Sequence, residues 1–535
     1  MSKRFIAIYL FIVLLFSFIG ARLFLIMYYN GQAIKASLSF GRDLTLKIFE
    51  NRGLIYDKNL VPLVNETNII LAVVDPFLIN NIDEIKEIAI DEQKEKAEKL
   101  IKEGRPFLLR VHKKVENLKG VTFIDTKSRY SLPYLALHTI GYLNNQDKGE
   151  FGIENSFEEL LSKDTTSFNA VIPVGATRRA LSGLGITFEG QQKENNQGVV
   201  LTIDKNIQKI AETAADLYIS KGAIVILNIE TGEIVAICSR PNFNPYDIGN
   251  SFDKNNGALI NKALTPYNVG SAFKIVLASA YYELGGTNED YYCGGSIKVG
   301  ANTISCQNSG GHGEIGMQTA FAQSCNVYFI KLGGKIGAEN LLNMAINMGF
   351  FEQNILSSSV ISKKGTLPTL KNLSATACLA NFSIGQGELL ATPLQIAQMV
   401  SVVAGDGSFK KPYLIKGTLD KNKNFTSLQQ ETTPKYIMSK ETADKIKQLM
   451  IYTAISGSGK KANPDAGGAG VKTATAQTGI IKDEKAILQG WIAGFFPSIN
   501  PKYAVAVLAE DCLSGAKSAG PAFKYIAENV YEMVK

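Results

Sequence analysis

The chain has 535 residues, long enough for roughly three or four domain-sized units, with 45% hydrophobic and 20% charged residues, an ordinary globular balance that leaves ample apolar material for sizeable cores. Its 56 Lys and Arg exceed 49 Asp and Glu by only seven. No basic run is dense enough to form a nucleic-acid footprint, so nucleic acid is not an expected partner.

Lys3 and Arg4 precede an apolar run from Phe5 to Ala21, and Arg22 is followed by a second apolar stretch ending at Tyr28 and Tyr29. The first run alone makes about 25 Å of helix against a hydrocarbon core of roughly 30 Å. Extension through Met27 closes the gap if Arg22 snorkels toward the headgroups, with Tyr28 and Tyr29 as interfacial anchors. The basic flank predicts residues 1–4 in the cytoplasm, one transmembrane anchor over 5–29 in the cell membrane, and everything later outside. A cleaved signal peptide is the competing reading, but no small-x-small cleavage site stands out around Gly20 and Ala21.

Residues 30–50 read as a juxtamembrane strand or helix, and 30–195 as one mixed module of short strands and charged helices. A helix is predicted over 83–103, with Ile85, Ile88, Ala97 and Leu100 available for a buried face. The polar stretch Phe188–Gly198 marks a linker or exposed hairpin. Residues 196–535 then read as an α/β (α+β) domain. Val199–Ile203 predicts a strand, and Asp204 caps a helix to about Ser220. Ala223–Leu227 and Ile234–Cys238 predict a hairpin. At the far end Val471–Gln477, Ile487–Phe496 and Tyr503–Leu508 predict three strands, and a last helix starts near Pro521. Strands from both ends around a helical middle imply one antiparallel sheet packed between helices.

Three short elements carry candidate chemistry: Ser271-Ala272-Phe273-Lys274, Ser324-Cys325-Asn326 and Lys472-Thr473-Ala474. None is specific alone. S-x-x-K also occurs at Ser251, Ser408, Ser458 and Ser514, S-x-N also at Ser167 and Ser498, and Lys before Ser or Thr also at Lys127 and Lys517. Only Ser271 opens an apolar helix; the rivals sit in polar or Gly-rich loops or turns. Serine and lysine three apart on a helix share a face, so the ammonium can reach the hydroxyl. A serine in the first turn also offers its N–H to a developing oxyanion. Serine needs an adjacent base, and lysine serves only if burial and a second cation, for which Lys472 is the candidate, depress its pKa. The three histidines, His112, His138 and His312, stand in no nucleophile-like setting, which disfavours a Ser-His-Asp triad, and no G-x-S-x-G elbow occurs. Residues 471–477 alternate as an edge strand, on which a substrate would receive main-chain hydrogen bonds.

Taken in this order, S-x-x-K, S-x-N and K-T-x resemble the signature of penicillin-binding proteins and serine β-lactamases. The whole chain is similar to a class B penicillin-binding protein, a monofunctional peptidoglycan D,D-transpeptidase. The likeness runs through the anchor, Arg52-Gly53-Leu54-Ile55-Tyr56-Asp57, Gly152-Ile153-Glu154 with Phe157, and Gly311-His312-Gly313. It continues at Gly385-Gln386-Gly387, Thr392-Pro393-Leu394-Gln395 and Trp491–Pro497. The resemblance implies a non-catalytic pedestal or dimerisation-type module over 30–195 and a transpeptidase domain over 196–535. It implies Ser271 as acylated nucleophile, Lys274 as base and Ser324 as proton relay. Asn326 would hold Lys274 and the substrate amide, Lys472 and Thr473 would bind the terminal carboxylate, and the Ser271 and Thr475 N–H groups would form the oxyanion hole. Stem peptides and nascent glycan strands of peptidoglycan are the implied partners, β-lactams the covalent inhibitors, and a SEDS-type glycan polymerase a partner in the membrane. Ala474 stands where the family usually has Gly, which would tune ligand affinity rather than abolish activity.

Cys238, Cys293, Cys306, Cys325, Cys378 and Cys512 read mostly as small buried hydrophobes. Cys325 differs because it lies inside the second motif, and a disulfide to Cys306 or Cys293 would make a redox switch there. No metal and no cofactor is expected, since no C-x-x-C or paired His occurs. Two competing functions remain: a β-lactam-binding sensor or β-lactamase of the same fold, and a cell-wall scaffold without chemistry. Neither fits as well, given the long region before the catalytic domain and the intact reactive groups.

Overall fold

The computed structural model describes residues 3–39, 43–175, 180–181, 185–193, 195–251, 256–428, 434–482, 485–512 and 514–535. A first helix spans Lys3–Ser39, and its Arg4–Ile26 stretch is long and apolar enough to cross a membrane. Tyr28 is exposed and stacks on Phe24 at 6.2 Å; the side chain of Tyr29, its expected partner as an anchor, lies outside the described residues.

The chain forms two compact units. One comprises Met1–Arg52, Glu66–Arg129 and Asp164–Asn195; the other comprises Gly53–Asn65, Tyr130–Lys163 and Asn196–Lys535. The boundary read near residue 195 is therefore one of several crossings, and two segments from the earlier half share the core of the second unit. Ile55, Ile140, Ile153 and Leu161, none more than 2% exposed, pack in its main hydrophobic cluster.

The first unit holds two three-stranded antiparallel sheets, one of Asp43–Glu50, Ser167–Pro173 and Thr187–Gly190, the other of Phe107–Val111, Thr67–Val74 and Val121–Ser128. Thr187–Gly190 overlaps the start of the expected linker, which is thus an edge strand. The helix predicted over 83–103 is broken into Ile82–Ile88, a 3-10 turn and Lys94–Glu103. The break has a cause: Ala89 pairs with Val111, and the Ile90 N–H donates to the Arg110 carbonyl. A strand edge competes successfully for two residues of helix backbone.

In the second unit α1 (Lys205–Tyr218) precedes β1 (Gly222–Asn228) and β2 (Ile234–Arg240). After the helical middle come β3 (Gly470–Lys482), β4 (Lys485–Phe496) and β5 (Tyr503–Ala509). The sheet order is β2-β1-β5-β4-β3, antiparallel throughout. Alternation along β1 sends Ala223, Val225 and Leu227 into the main cluster and Ile224 and Ile226 into a second one. Both faces are therefore apolar and need cover. One is covered by α1 and the last helix, Gly520–Val534, through Ala211, Phe523 and Ile526; the other meets the helical middle. Asp204 caps α1 by accepting the Asn206 and Ile207 N–H groups at 3.0 and 3.2 Å. The predicted strand at Val199 belongs to a separate sheet, where Gly198–Leu201 pairs in parallel with Leu54–Tyr56.

The motif Thr392-Pro393-Leu394-Gln395 has a structural explanation. Thr392 and Gln395 form a reciprocal capping box with Pro393 at the first helical position, starting the wholly buried helix Pro393–Ala404.

Candidate active site

Ser271 is positioned from β3 and β4. Tyr267–Asn268 pairs with Leu390–Ala391. Both polar groups of the Asn268 backbone are tied to β4: its carbonyl accepts from Trp491 Nε1 at 2.8 Å, and its N–H donates to Gln489 Oε1 at 2.9 Å. Trp491 is fully buried, as its core role requires. Gly270 then turns the chain at φ +59°, and a Cβ placed there would lie 3.0 Å from that of Ala476. The turn Gly270–Phe273 is thus pressed against edge strand β3 and continues as α2 (Lys274–Glu283).

Lys274 is fully buried. Its ammonium donates to the Ser324 carbonyl at 2.7 Å, to Asn326 Oδ1 at 2.8 Å and to Ser324 Oγ at 3.2 Å. Lys472 on β3, equally buried, donates to the same Ser324 Oγ at 3.0 Å and to the Thr473 carbonyl at 2.9 Å. One hydroxyl oxygen therefore sits between two ammonium groups, and among the described residues neither is paired with a carboxylate. Burial pushes Lys274 down to about 7, opposed in part by the Cys325 and Cys306 sulfurs. Burial, and then the charge of Lys274, hold Lys472 well below the ordinary lysine range.

The structure thus brings Lys274, Ser324, Asn326 and Lys472 into one hydrogen-bonded cluster, with Ser271 one helical turn before Lys274. It differs from the sequence reading in one respect. The Lys274 ammonium is committed to Ser324 and Asn326, and among the described residues the Ser271 hydroxyl has no hydrogen-bond partner. Ser324 takes up its post through a left-handed backbone, φ +55°, a conformation that costs a Cβ residue about 1–2 kcal/mol.

Along β3 the side chains divide as alternation predicts. Thr475 Oγ1 accepts the Gly515 N–H at 3.1 Å. Thr473 Oγ1 meets Ser458 Oγ at 2.6 Å. Ser458, set aside in the sequence as a loop serine, is held beside β3 because its N–H donates to the Ala322 carbonyl at 3.0 Å. Only its S-x-x-K pattern pointed to it, and for the wrong reason. Ala474 pairs with Trp491 and is 3% exposed, its methyl part of the main cluster rather than of an open surface.

All six cysteines are free thiols. Cys306 and Cys325 Sγ lie 3.8 Å apart, in contact but beyond the roughly 2.05 Å of a disulfide. Cys325 takes the capping position of α3 (Asn326–Ile336), its sulfur accepting the Tyr328 N–H at 3.4 Å. The argument from spacing against a metal does not hold in three dimensions. Cys293, Cys306, His312 and Cys325 place their ligating atoms within 4.8 Å of one another. Sequence reading weighed Cys293 only as a disulfide partner and His312 only as a motif residue, and missed both as ligands; the available signal was three of the six cysteines and one of the three histidines within residues 293–325.

An antiparallel sheet between helices, with this lysine–serine–asparagine–lysine cluster beside a helix-opening serine, is the architecture of a penicillin-recognising serine enzyme. The family described as the penicillin-binding protein transpeptidase domain matches residues 222–528. The chain is 26% identical to stage V sporulation protein D of Bacillus subtilis, over 95% of its own length and 82% of that relative's. It is 25% identical to peptidoglycan D,D-transpeptidase FtsI of Buchnera aphidicola, over 91% and 87% of the two chains. Penicillin-binding protein 3 of Mycobacterium tuberculosis, solved in complex with aztreonam, has the same fold: TM-score 0.64, 22% identity, 92% of this chain and 97% of that one. The chain belongs to the penicillin-binding protein transpeptidase family, among its class B members.

Proposed function

We propose that this protein is a membrane-anchored peptidoglycan D,D-transpeptidase in which Ser271 is acylated by a stem peptide. The observation that carries the assignment is the convergence of Lys274 and Lys472, both fully buried, on Ser324 Oγ at 3.2 and 3.0 Å. Two carboxylate-free lysines in so dry a place are costly for stability alone and useful for moving a proton.

In this mechanism neutral Lys274 swings from Ser324 to take the Ser271 proton as Oγ attacks the penultimate D-Ala carbonyl. The oxyanion faces the N–H groups of Ser271 and Thr475, which the closeness of Gly270 to Ala476 supports. The C–N bond breaks, and the departing D-Ala amine receives its proton through Ser324. An amine of a neighbouring stem then attacks the ester, returning the Ser271 proton and closing the crosslink. Lys472 and Thr473, whose hydroxyl meets that of Ser458, hold the terminal carboxylate. A β-lactam enters by the same attack and stays as an ester.

The transpeptidase domain is taken as residues 196–535 together with the earlier segments that share its core, and 30–195 otherwise as the non-catalytic module. The cytoplasmic N-terminus follows from Lys3 and Arg4, and a SEDS-type glycan polymerase is the proposed membrane partner. The test is a fluorescent penicillin on the detergent-purified chain. A stable adduct mapped to Ser271 and absent from Ser271→Ala is expected; rapid turnover of the adduct would favour a β-lactamase, and no adduct would defeat the reading.

A further inference from the structure

The four ligand-type side chains beside the second motif share a construction that neither catalysis nor core packing requires. Strand Tyr291–Cys293 pairs with Gly313–Ile315, setting Cys293 opposite Gly313 and next to His312. Close approach is enforced at Gly311, with φ +81°, where a Cβ would lie 2.2 Å from the Cys293 carbonyl oxygen. The His312 N–H donates to that same carbonyl at 3.0 Å. Cys306 follows the hairpin Ser296–Val299/Asn302–Ser305, and Cys325 caps α3. Four separate pieces of chain thus aim three sulfurs and an imidazole at one point.

Three of the six separations match a tetrahedral ion, and all six lie within 4.8 Å. Bonds of about 2.3 Å to sulfur and about 2.05 Å to nitrogen at the tetrahedral angle imply S···S near 3.8 Å and S···N of about 3.5–3.6 Å. Cys306 and Cys325 Sγ stand 3.8 Å apart, and His312 Nδ1 lies 3.4 Å from Cys293 Sγ and 3.6 Å from Cys306 Sγ. The three cysteines are buried and His312 is half-buried. Backbone N–H groups already point at two of the sulfurs, Asn326 at Cys306 and Tyr328 at Cys325, each at 3.4 Å; such donors orient thiolate ligands and stabilise their charge. A disulfide would use two sulfurs and leave a third thiol and an imidazole facing it. A metal uses all four.

We propose that Cys293, Cys306, His312 and Cys325 bind one Zn2+ in a closed, four-ligand site that positions the Ser324–Asn326 turn. Three thiolates and one imidazole in a tetrahedron select zinc and leave no open position for water, so the ion is structural and touches no reacting atom. On binding, three thiol protons pass to solvent, and neutral His312 coordinates through Nδ1. Cys325 lies between Ser324 and Asn326. Fixing its sulfur fixes the left-handed Ser324 on one side and the start of α3 on the other. The positioning role rests on the transpeptidase reading; the metal site does not.

The full-length protein, purified in detergent, is expected to hold about one zinc per chain by plasma mass spectrometry. Replacement by Co2+ should give the intense visible bands of a tetrahedral thiolate site. Cys293→Ser and His312→Ala, both outside the catalytic motifs, should lower zinc affinity by more than about 100-fold, since even outer partners of a site are worth about 10–100-fold. Cys378→Ser, at an exposed thiol, should change nothing. If the variants fail to fold, a chelator added to the unmodified protein replaces them: penicillin labelling of Ser271 should slow at least about tenfold and recover with added Zn2+. Protein that holds no zinc as isolated or after reconstitution, zinc retained by both variants, or a Cys306–Cys325 disulfide in the isolated chain would each overturn the site. A labelling rate indifferent to chelation would overturn the positioning role while leaving the transpeptidase reading intact. Zinc lost with its ligands in a protein that penicillin never labels would support the site and overturn that reading instead.

Discussion

Replacing Ser324 separates chemistry from backbone strain, because its hydroxyl and its dihedral angle do different things. Ser324→Ala removes an oxygen that accepts from Lys472 at 3.0 Å and from Lys274 at 3.2 Å. A hydrogen bond to a charged group is worth about 1.5–3 kcal/mol, so the gross loss is about 3–6 kcal/mol. Lys274 keeps the Ser324 carbonyl and Asn326 Oδ1, whereas among the described residues Lys472 keeps only the Thr473 carbonyl as a hydrogen-bond acceptor. Loss of that acceptor favours the uncharged form of Lys472, which burial and the charge of Lys274 already hold below the ordinary lysine range, so the stability loss stays below the gross figure, at about 1–3 kcal/mol. Acylation has no such escape, because the relay and the charge beside it both go. Penicillin acylation should fall about 100- to 10,000-fold. Ser324→Gly loses the same hydroxyl but relieves the φ of +55°. A left-handed Cβ residue costs about 1–2 kcal/mol and glycine loses about 0.5–1 kcal/mol of chain entropy, so the Gly variant should be the more stable by about 0.5–1 kcal/mol. Fluorescent-penicillin kinetics and thermal unfolding, run on both variants, read the two effects apart. Acylation within about threefold of the parent in either variant would refute the relay, and a Gly variant less stable than the Ala variant would refute the strain argument.

Lys274 sits near 7 and acts as a base only when neutral. The acylation rate should therefore rise with pH through about 7 and level off above it; a profile flat between pH 6 and 9 would count against Lys274. Ala474→Gly should change acylation less than about tenfold and lower stability by about 0.5–1 kcal/mol, because the buried methyl contributes packing and strand rigidity. A large gain in penicillin affinity would show that the methyl crowds the ligand after all. Trp491→Phe leaves the Asn268 carbonyl without its 2.8 Å donor and should cost about 1–3 kcal/mol, measured as a lowered midpoint of thermal unfolding with the penicillin adduct still forming on Ser271.

What was legible in the sequence was local or carried by a motif. Ser271 and Lys274 are three residues apart where an apolar helix opens, and that context, with the ordered motifs at Ser324 and Lys472, singled them out from four other S-x-x-K matches. The capping of α1 by Asp204 and the strands at both ends of the transpeptidase sheet followed from periodicity and turn chemistry in the same way. What escaped depends on contacts between distant pieces of chain. Nothing near Ser458 says that the Ala322 carbonyl holds it beside Thr473. Nothing near Ala89 says that Val111 will draw it out of a helix. Cys293 and His312 have no short ligand spacing because paired strands, not one loop, bring them together. The approach of Lys274 to Ser324 rather than Ser271 was also out of reach, since both are feasible from one position on α2 and only burial beside Asn326 decides.

The parallel pairing of Leu54–Tyr56 with Gly198–Leu201 bears on how the protein is made. Synthesis delivers Ile55 long before its partner strand exists, so residues 53–65 and 130–163 must wait, apolar and unpaired, until the chain beyond residue 196 emerges. Long-range pairing of this kind is slow and exposes sticky surface meanwhile. The first unit, whose strands all lie before residue 191, is free to fold early and to restrain the ends of the waiting segments as tethered loops. A fragment cut at residue 196 would begin life without Ile55, Ile140, Ile153 and Leu161, and insolubility rather than a tidy catalytic domain is its natural fate.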